Sequence, residues 1–122
     1  MNCKRGDVVL CQVPMPSSLL RRFKLRPAVV VSKNLNNNRL DDVMIATCTS
    51  NVSRHQEPTQ LSVTHPNEIA QAGLKVPSVV KCEAIFTINK AMILKVLGRL
   101  SDQATEKLDA CLMDALELHQ GT

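Results

Sequence analysis

The sequence predicts a mainly β fold, a small antiparallel, barrel-like sheet capped by one C-terminal α-helix. Three observations carry that reading. Six short apolar runs, rich in β-branched residues, are each bounded by turn chemistry. Apolar residues recur at spacings of three and four only in the tail. Strands and helices do not alternate in the way that builds a parallel sheet.

The first strand is Val8 to Val13, apolar with one polar interruption. The second, Ala28 to Ser32, holds three consecutive valines behind Pro27, which stands where a strand tolerates a missing N–H. Val43 to Cys48 is the third, and the segment between, Asn34 to Asp42, reads as a loop because four of its residues are asparagine. Gln60 to His65 alternates polar and apolar up to Pro66, Ser78 to Ala84 is a fifth strand, and Ile93 to Leu100 is a sixth, interrupted by Gly98. Asn89 to Met92 suits a single helical turn. In the tail Ser101 is an N-cap with Asp102 in the first turn, and Ala104, Leu108, Cys111, Leu112 and Ala115 form one stripe. Lys107, Asp109 and Asp114 fall on the other side, and the helix is expected to end near His119 to Gly121.

With 122 residues, 44% apolar and 21% charged, the chain is one domain's worth, and residues 1–122 are read as a single domain with a core that needs no staple. No apolar run approaches the roughly 18 residues of a membrane span. The N-terminal apolar stretch is broken too soon by Gln12 and Pro14 for a secretory signal, so a soluble, cytoplasmic protein is expected. Five cysteines, Cys3, Cys11, Cys48, Cys82 and Cys111, are odd in number, widely spaced and without a C-x-x-C pair. That excludes a disulfide framework and a zinc finger; a cysteine inside an apolar run packs as a small hydrophobe. His55, His65 and His119 are also dispersed, so neither a metal site nor a cofactor is expected.

The net charge of +4 is unevenly spread. Residues 1–60 hold nine Lys or Arg against four acids, whereas 61–122 hold six against seven. The densest cluster is Arg21, Arg22, Lys24 and Arg26 around Phe23, read as a mobile basic loop. Such a loop attracts polyanions by phosphate contact and counterion release, although a charge run by itself more often marks a solvated loop that binds nothing. Thr47, Thr49, Ser50 and Asn51 come where the third strand ends. Hydroxyls and free N–H groups there suit a phosphate, although Ser, Thr and Asn at such a place more often form a turn that satisfies its own backbone. Lys81 and Glu83 lie two apart in an apolar strand, so both side chains leave on one face, either as a functional pair or as the solvent side of a sheet. Gly-rich phosphate loops, nucleophile elbows and zinc-helix motifs are absent. From residues alone the chain is a small basic β protein suited to nucleic acid.

Six segments in order carry a more specific resemblance: K-R-G-D-V-V-L at Lys4 to Leu10, R-P-A-V-V-V-S at Arg26 to Ser32, T-S-N at Thr49 to Asn51, G-L-x-x-x-S-V-V at Gly73 to Val80, I-F-T-I-N-K at Ile85 to Lys90 and L-G-R-L-S at Leu97 to Ser101. Together they span nearly the whole chain and resemble the MazF/PemK family of toxin endoribonucleases. The resemblance implies an SH3-like barrel of the CcdB/PemK type with a C-terminal helix. It also implies a homodimer, metal-independent cleavage of single-stranded RNA and a small antitoxin whose acidic, flexible segment occupies the RNA groove. It assigns Arg26 to the scissile phosphate and Thr49 with Ser50 to hydrogen bonds that hold it. An arginine and an aspartate that act as acid and base in the PemK branch correspond to Lys81 and Glu83, which keep the charges but change the fork to a point charge and lengthen the acid. Phe86 stands where many members have arginine, and the glycine often found between Val13 and Arg26 is missing. Asn51, Arg21, Arg22 and Lys24 are then expected along the RNA, with Phe23 stacked on a base or tucked against the barrel. A related family uses a similar fold to poison gyrase by contact, and an RNA-binding member without activity is a third alternative.

Overall fold

The computed structural model describes residues 2–19, 21–52 and 57–118. Six strands, β1 (Asp7–Pro14), β2 (Phe23–Val30), β3 (Asp42–Thr49), β4 (Gln60–Val63), β5 (Ser78–Asn89) and β6 (Ile93–Arg99), form one sheet in the order β4-β5-β3-β2-β1-β6. All its pairings are antiparallel. Among the described residues three helices accompany it, α1 (Asn34–Arg39), α2 (Pro66–Ala72) and the C-terminal α3 (Asp102–Ala115), with 3₁₀ turns at Pro16–Ser18 and Lys90–Met92. The fold class is the expected one, and the turn before β6 lies where the sequence placed it.

Neighbouring residues of the central strands enter opposite cores. Val8, Val29, Ala46, Cys48, Val80 and Leu61 pack with Ala72 of α2 and with Leu108 and Cys111 of α3. Val9, Cys11, Ala28, Val30, Ile45 and Val43 pack on the other side with Cys3, Ile88 and Ile93. A strand buried on both faces cannot alternate apolar with polar, which is why these strands read as continuous apolar runs. β4 and β6 are the two edges; α3 packs on β4 and β5, and α2 on β6.

The expected loop at Asn34 to Asp42 instead opens as α1. Asparagine is a poor helix former. Tertiary hydrogen bonds decide the matter: the buried Asn37 side chain accepts from Ser32 Oγ and donates to Ser32 O at 2.9 Å, and Asn34 Oδ1 accepts the Arg5 N–H at 2.7 Å. The expected fourth strand stops at Val63, because His65 caps α2, its Nδ1 accepting the Asn67 N–H at 3.1 Å ahead of Pro66 at the first helical position. β5 continues past Ala84 to Asn89, and β2 begins at Phe23, five residues before the expected Ala28. Helix α3 starts where Ser101 Oγ accepts the Ala104 N–H at 3.0 Å. It ends at Ala115, earlier than expected, as Glu117 takes φ 53° and the Leu118 N–H reaches Met113 O at 2.8 Å. That six-to-one closure is the Schellman arrangement with glutamate in glycine's place. His119 and Gly121 lie outside the described residues. Among the described residues no helix is long and apolar enough to cross a membrane.

Candidate functional site

The β2–β3 ladder pairs only Ala28 with Thr47, Val29 with Ala46 and Val30 with Ile45. Yet β2 begins at Phe23 and β3 runs to Thr49. Pairing stops at Pro27, which has no N–H to offer a neighbouring strand. Beyond it the strands part, and two clefts meet there. Arg26, Cys48 and Thr49 line both.

The first cleft, about 220 Å³, is closed by Thr47, Lys81, Ala84 and Phe86. The second, about 390 Å³, lies toward β6 and the segment after α2 and is lined by Lys24, Ser50, Lys75, Ser78 and Lys95 over an apolar floor that includes Leu74 and Leu97. Among the described residues neither lining contains a carboxylate. The arrangement therefore suits an anion on either side of one arginine.

The sequence-based candidates separate in this frame. Arg26, Thr49, Ser50, Lys24 and Lys81 line the clefts. Thr49 Oγ1 accepts the Asn51 N–H at 3.2 Å, the local contact expected of a turn, which leaves its proton to donate elsewhere. Asn51 is exposed beside it. Glu83 is not a lining residue. Thr47 of β3 pairs with Lys81 while Ala46 pairs with Ile85, so Cys82, Glu83 and Ala84 form an unopposed bulge. On that bulge Glu83 turns to the β4 side, its carboxylate accepting from Thr59 Oγ1 and, at 3.2 Å, from Gln60 Nε2. Strict alternation along a regular strand could not show this separation of Lys81 from Glu83.

The expected mobile basic loop is a hydrogen-bonded hairpin in its described residues. The Met15 N–H reaches Arg22 O at 2.8 Å, and Ser18 Oγ donates to Met15 O at 2.7 Å and accepts the Arg22 N–H at 3.0 Å. Leu19 takes φ 55°, a conformation that favours glycine, in the loop where the resemblance finds a glycine missing. Lys24 and Arg26 stand on β2, whereas Arg21 and Arg22 are exposed on the hairpin and line neither cleft. Phe23 opens β2 opposite Pro14 and is 51% exposed, so it is not tucked against the barrel.

Sequence reasoning missed Lys75, Lys95, Ser78 and Phe86 as lining residues. Lys75 sits inside the G-L-x-x-x-S-V-V segment and Phe86 inside I-F-T-I-N-K, but only the fold brings them to Arg26. Cys48 is present in both walls, where burial first, then Cys11 and Cys82, push its thiol up to about 12. It is a neutral packing group there and no nucleophile. Among the described residues no three His, Cys, Asp or Glu side chains come together to hold a metal ion. His65 serves as a helix cap, and His55 and His119 lie outside the described residues.

A model of the family described as PemK-like, MazF-like toxin of type II toxin–antitoxin system matches residues 4–116. The chain is 26% identical over 119 residues to endoribonuclease EndoA of Bacillus subtilis (strain 168), covering 97% of each chain. Its fold superposes on an endoribonuclease from a mycobacterial species with a TM-score of 0.76 at 22% identity, covering 99% of this chain and 97% of that one. A mycobacterial endoribonuclease in complex with its cognate antitoxin gives a TM-score of 0.76 at 23% identity, covering 98% and 99%. At those identities the structural likeness establishes the fold.

Proposed function

This chain belongs to the family of PemK-like, MazF-like toxins of type II toxin–antitoxin systems, and from that premise we propose that it is a cytoplasmic endoribonuclease that cuts single-stranded RNA without a metal ion. It works as a homodimer and is held in check by a cognate antitoxin. The observation that carries the reading is the placement of Arg26 and Thr49 where two carboxylate-free clefts meet. A phosphodiester seated there keeps a nucleotide on either side. The names of the Bacillus subtilis relative and of the mycobacterial structures support the activity, and they do not favour the reading as a gyrase poison.

Cleavage begins at the substrate's own 2′-hydroxyl. Its proton passes to the Glu83 carboxylate, O2′ bonds to the adjacent phosphorus, the P–O5′ bond breaks and Lys81 gives a proton to the leaving O5′. Arg26 neutralises charge on the phosphorane oxygens while the hydroxyls of Thr49 and Ser50 donate to them. Arg26 is no base, since a guanidinium does not deprotonate in proteins. Glu83 lines neither cleft, its carboxylate held on the β4 side by Thr59 and Gln60, so as the base it would have to leave those partners to reach the attacking hydroxyl.

Incubation with a long single-stranded RNA and mapping of the ends tests this. The upstream fragment should end in a 2′,3′-cyclic phosphate and the downstream one begin with a 5′-hydroxyl, with or without chelator. Arg26→Ala should lower kcat about 10²–10³-fold, as loss of an oxyanion donor does. Efficient cutting of a substrate carrying 2′-deoxy sugar 5′ of the cut, or activity lost to chelator and restored by a divalent ion, would overturn the mechanism. Binding without any cleavage would select the inactive alternative.

A further inference from the structure

The five cysteines make no disulfide framework, and all of their thiols are free and buried. Two of them nevertheless meet. Cys82 of β5 and Cys111 of α3 belong to one core, and their thiols are hydrogen-bonded to each other. We propose that Cys82 and Cys111 form a reversible disulfide when a hydroperoxide reaches Cys111, and that the link locks the bulge that carries Glu83. The disulfide rests on the pair alone; its effect on cleavage rests on the endoribonuclease reading and deepens it.

Access decides which thiol reacts first. Cys111 lines a surface groove of about 440 Å³ between α3 and the start of β4, whereas Cys82 is fully buried and lines no part of it. The polarity of the pair agrees. Burial first, then Asp114, keeps the Cys111 thiol above the ordinary 9.0, while the hydrogen bond from Cys82 pulls it down. Burial first, then Cys111 and Glu83, pushes Cys82 up to about 12, and the same hydrogen bond adds to that rise. Glu57 and Lys107 are the other charged groups of the groove. Cys111 is therefore the nucleophile and Cys82 the thiol that resolves it.

The Cys111 thiolate attacks one peroxide oxygen, the O–O bond breaks and the other oxygen leaves as water, which gives a sulfenic acid. The Cys82 sulfur loses its proton and attacks the Cys111 sulfur. The S–S bond forms, the S–O bond breaks and a second water leaves. The two sulfurs each give up one electron and the peroxide is reduced to water. A dithiol reverses the link by exchange.

The position of Cys82 gives the link its consequence. Cys82, Glu83 and Ala84 are the unopposed residues of the bulge. The Cys82 N–H donates to Thr59 O at 3.0 Å, and Thr59 Oγ1 donates to the Glu83 carboxylate. A covalent bond from Cys82 to α3 ties this knot down, and Glu83 has to leave it to act as the base.

The test treats the full, reduced chain with hydrogen peroxide near neutral pH, blocks remaining thiols with N-ethylmaleimide and digests with trypsin, which cuts after Lys81, Lys90 and Lys107. A crosslink should join peptides 82–90 and 108–122, disappear with dithiothreitol and form about tenfold faster per pH unit below pH 9. Amide hydrogen exchange of peptide 82–90 should slow on oxidation, whether or not the chain cuts RNA. The oxidised chain should lose about 10²-fold in kcat, the lower end of a general base's contribution, and keep its affinity for an uncleavable 2′-O-methylated RNA. Cys111→Ser should keep its rate in peroxide; because that variant alters a packed core, the crosslink in the parent chain decides without it. A link from Cys48 to Cys82, or over-oxidation of Cys111 without a crosslink, would overturn the proposal. So would a crosslinked chain that exchanged its amides and cut RNA at the reduced rates. A chain that crosslinked and slowed its exchange but cut no RNA in either state would sink the nuclease reading and leave the lock standing.

Discussion

Burial in an apolar interior penalises a thiolate, and Cys11, Cys48 and Cys82 bear that penalty most. Desolvation, with smaller contributions from neighbouring groups, takes Cys11 from 9.0 to about 11 and Cys48 and Cys82 from 9.0 to about 12. Because the folded-state values lie above the unfolded value, the folded chain holds protons that the unfolded chain releases between pH 9 and 12. Their contribution to stability is complete below pH 9 and is lost as pH rises through the folded values. The chain has no tyrosine, so phenol titration does not blur that window. The urea midpoint should therefore be flat from pH 7 to 8 and fall steadily above about 9. A C48A/C82A double variant should lose part of the fall; an identical alkaline slope in the variant would show that other groups unfold the chain. Reading these cysteines from the sequence as small hydrophobes agrees with their burial, because an apolar run on a two-faced sheet leaves a thiol nowhere else to go.

At the scale of elements, the end of α2 and β6 meet backbone against backbone. A Cβ on Gly98 would meet Ala72 C and Gln71 O at 2.5 Å, and Gly73 meets Leu97 O from the other side. Gly98→Ala should cost about 1–3 kcal/mol by overpacking. Gly73→Ala should cost about 1–2 kcal/mol more, since it adds the left-handed penalty of an L-residue at φ +71°. Urea unfolding of the two variants checks the order, and near-neutral effects in both would mean that α2 swings away freely. In the sequence Gly98 read only as a break in a strand. The helix that makes it necessary was legible in principle, since a capping side chain, Pro66 at the first turn and Gly73 after the last one bracket seven residues. Those seven hold too short an apolar stripe to announce a helix. Helix α1 was not legible at all, because the hydrogen bonds that hold Asn37 come from Ser32 and depend on the tertiary fold. The strands were legible in existence and blurred in extent. Pro27 argued for a start where the structure has a mid-strand residue, and it is tolerated there because pairing to β3 stops beside it.

Across the whole molecule, the family segments in the sequence single out Arg26, Thr49 and Ser50, which the fold sets on one cleft. The segments do not single out Lys75 and Lys95. They belong to the half of the sequence whose acids outnumber its bases, and only the fold, with β1 between β2 and β6 and α2 packed on β6, sets them on one cleft with Arg26. Charge counted along the chain thus understates charge counted around the cleft. Its four cations share one rim, and among the described residues of the lining no acid offsets their mutual repulsion. The free protein and its complex should then answer salt in opposite directions. Raising sodium chloride from low to moderate concentration should raise the melting temperature of the ligand-free chain by about 2 °C, from about 0.5 kcal/mol of screened repulsion. The same change should loosen its hold on RNA. Removing Lys75 and Lys95 together should abolish most of the thermal gain, and a parent chain that melted lower in salt would contradict it. A polyanion entering that cleft would supply the neutralisation its own lining lacks, so part of its affinity would come from easing a repulsion that folding set in place.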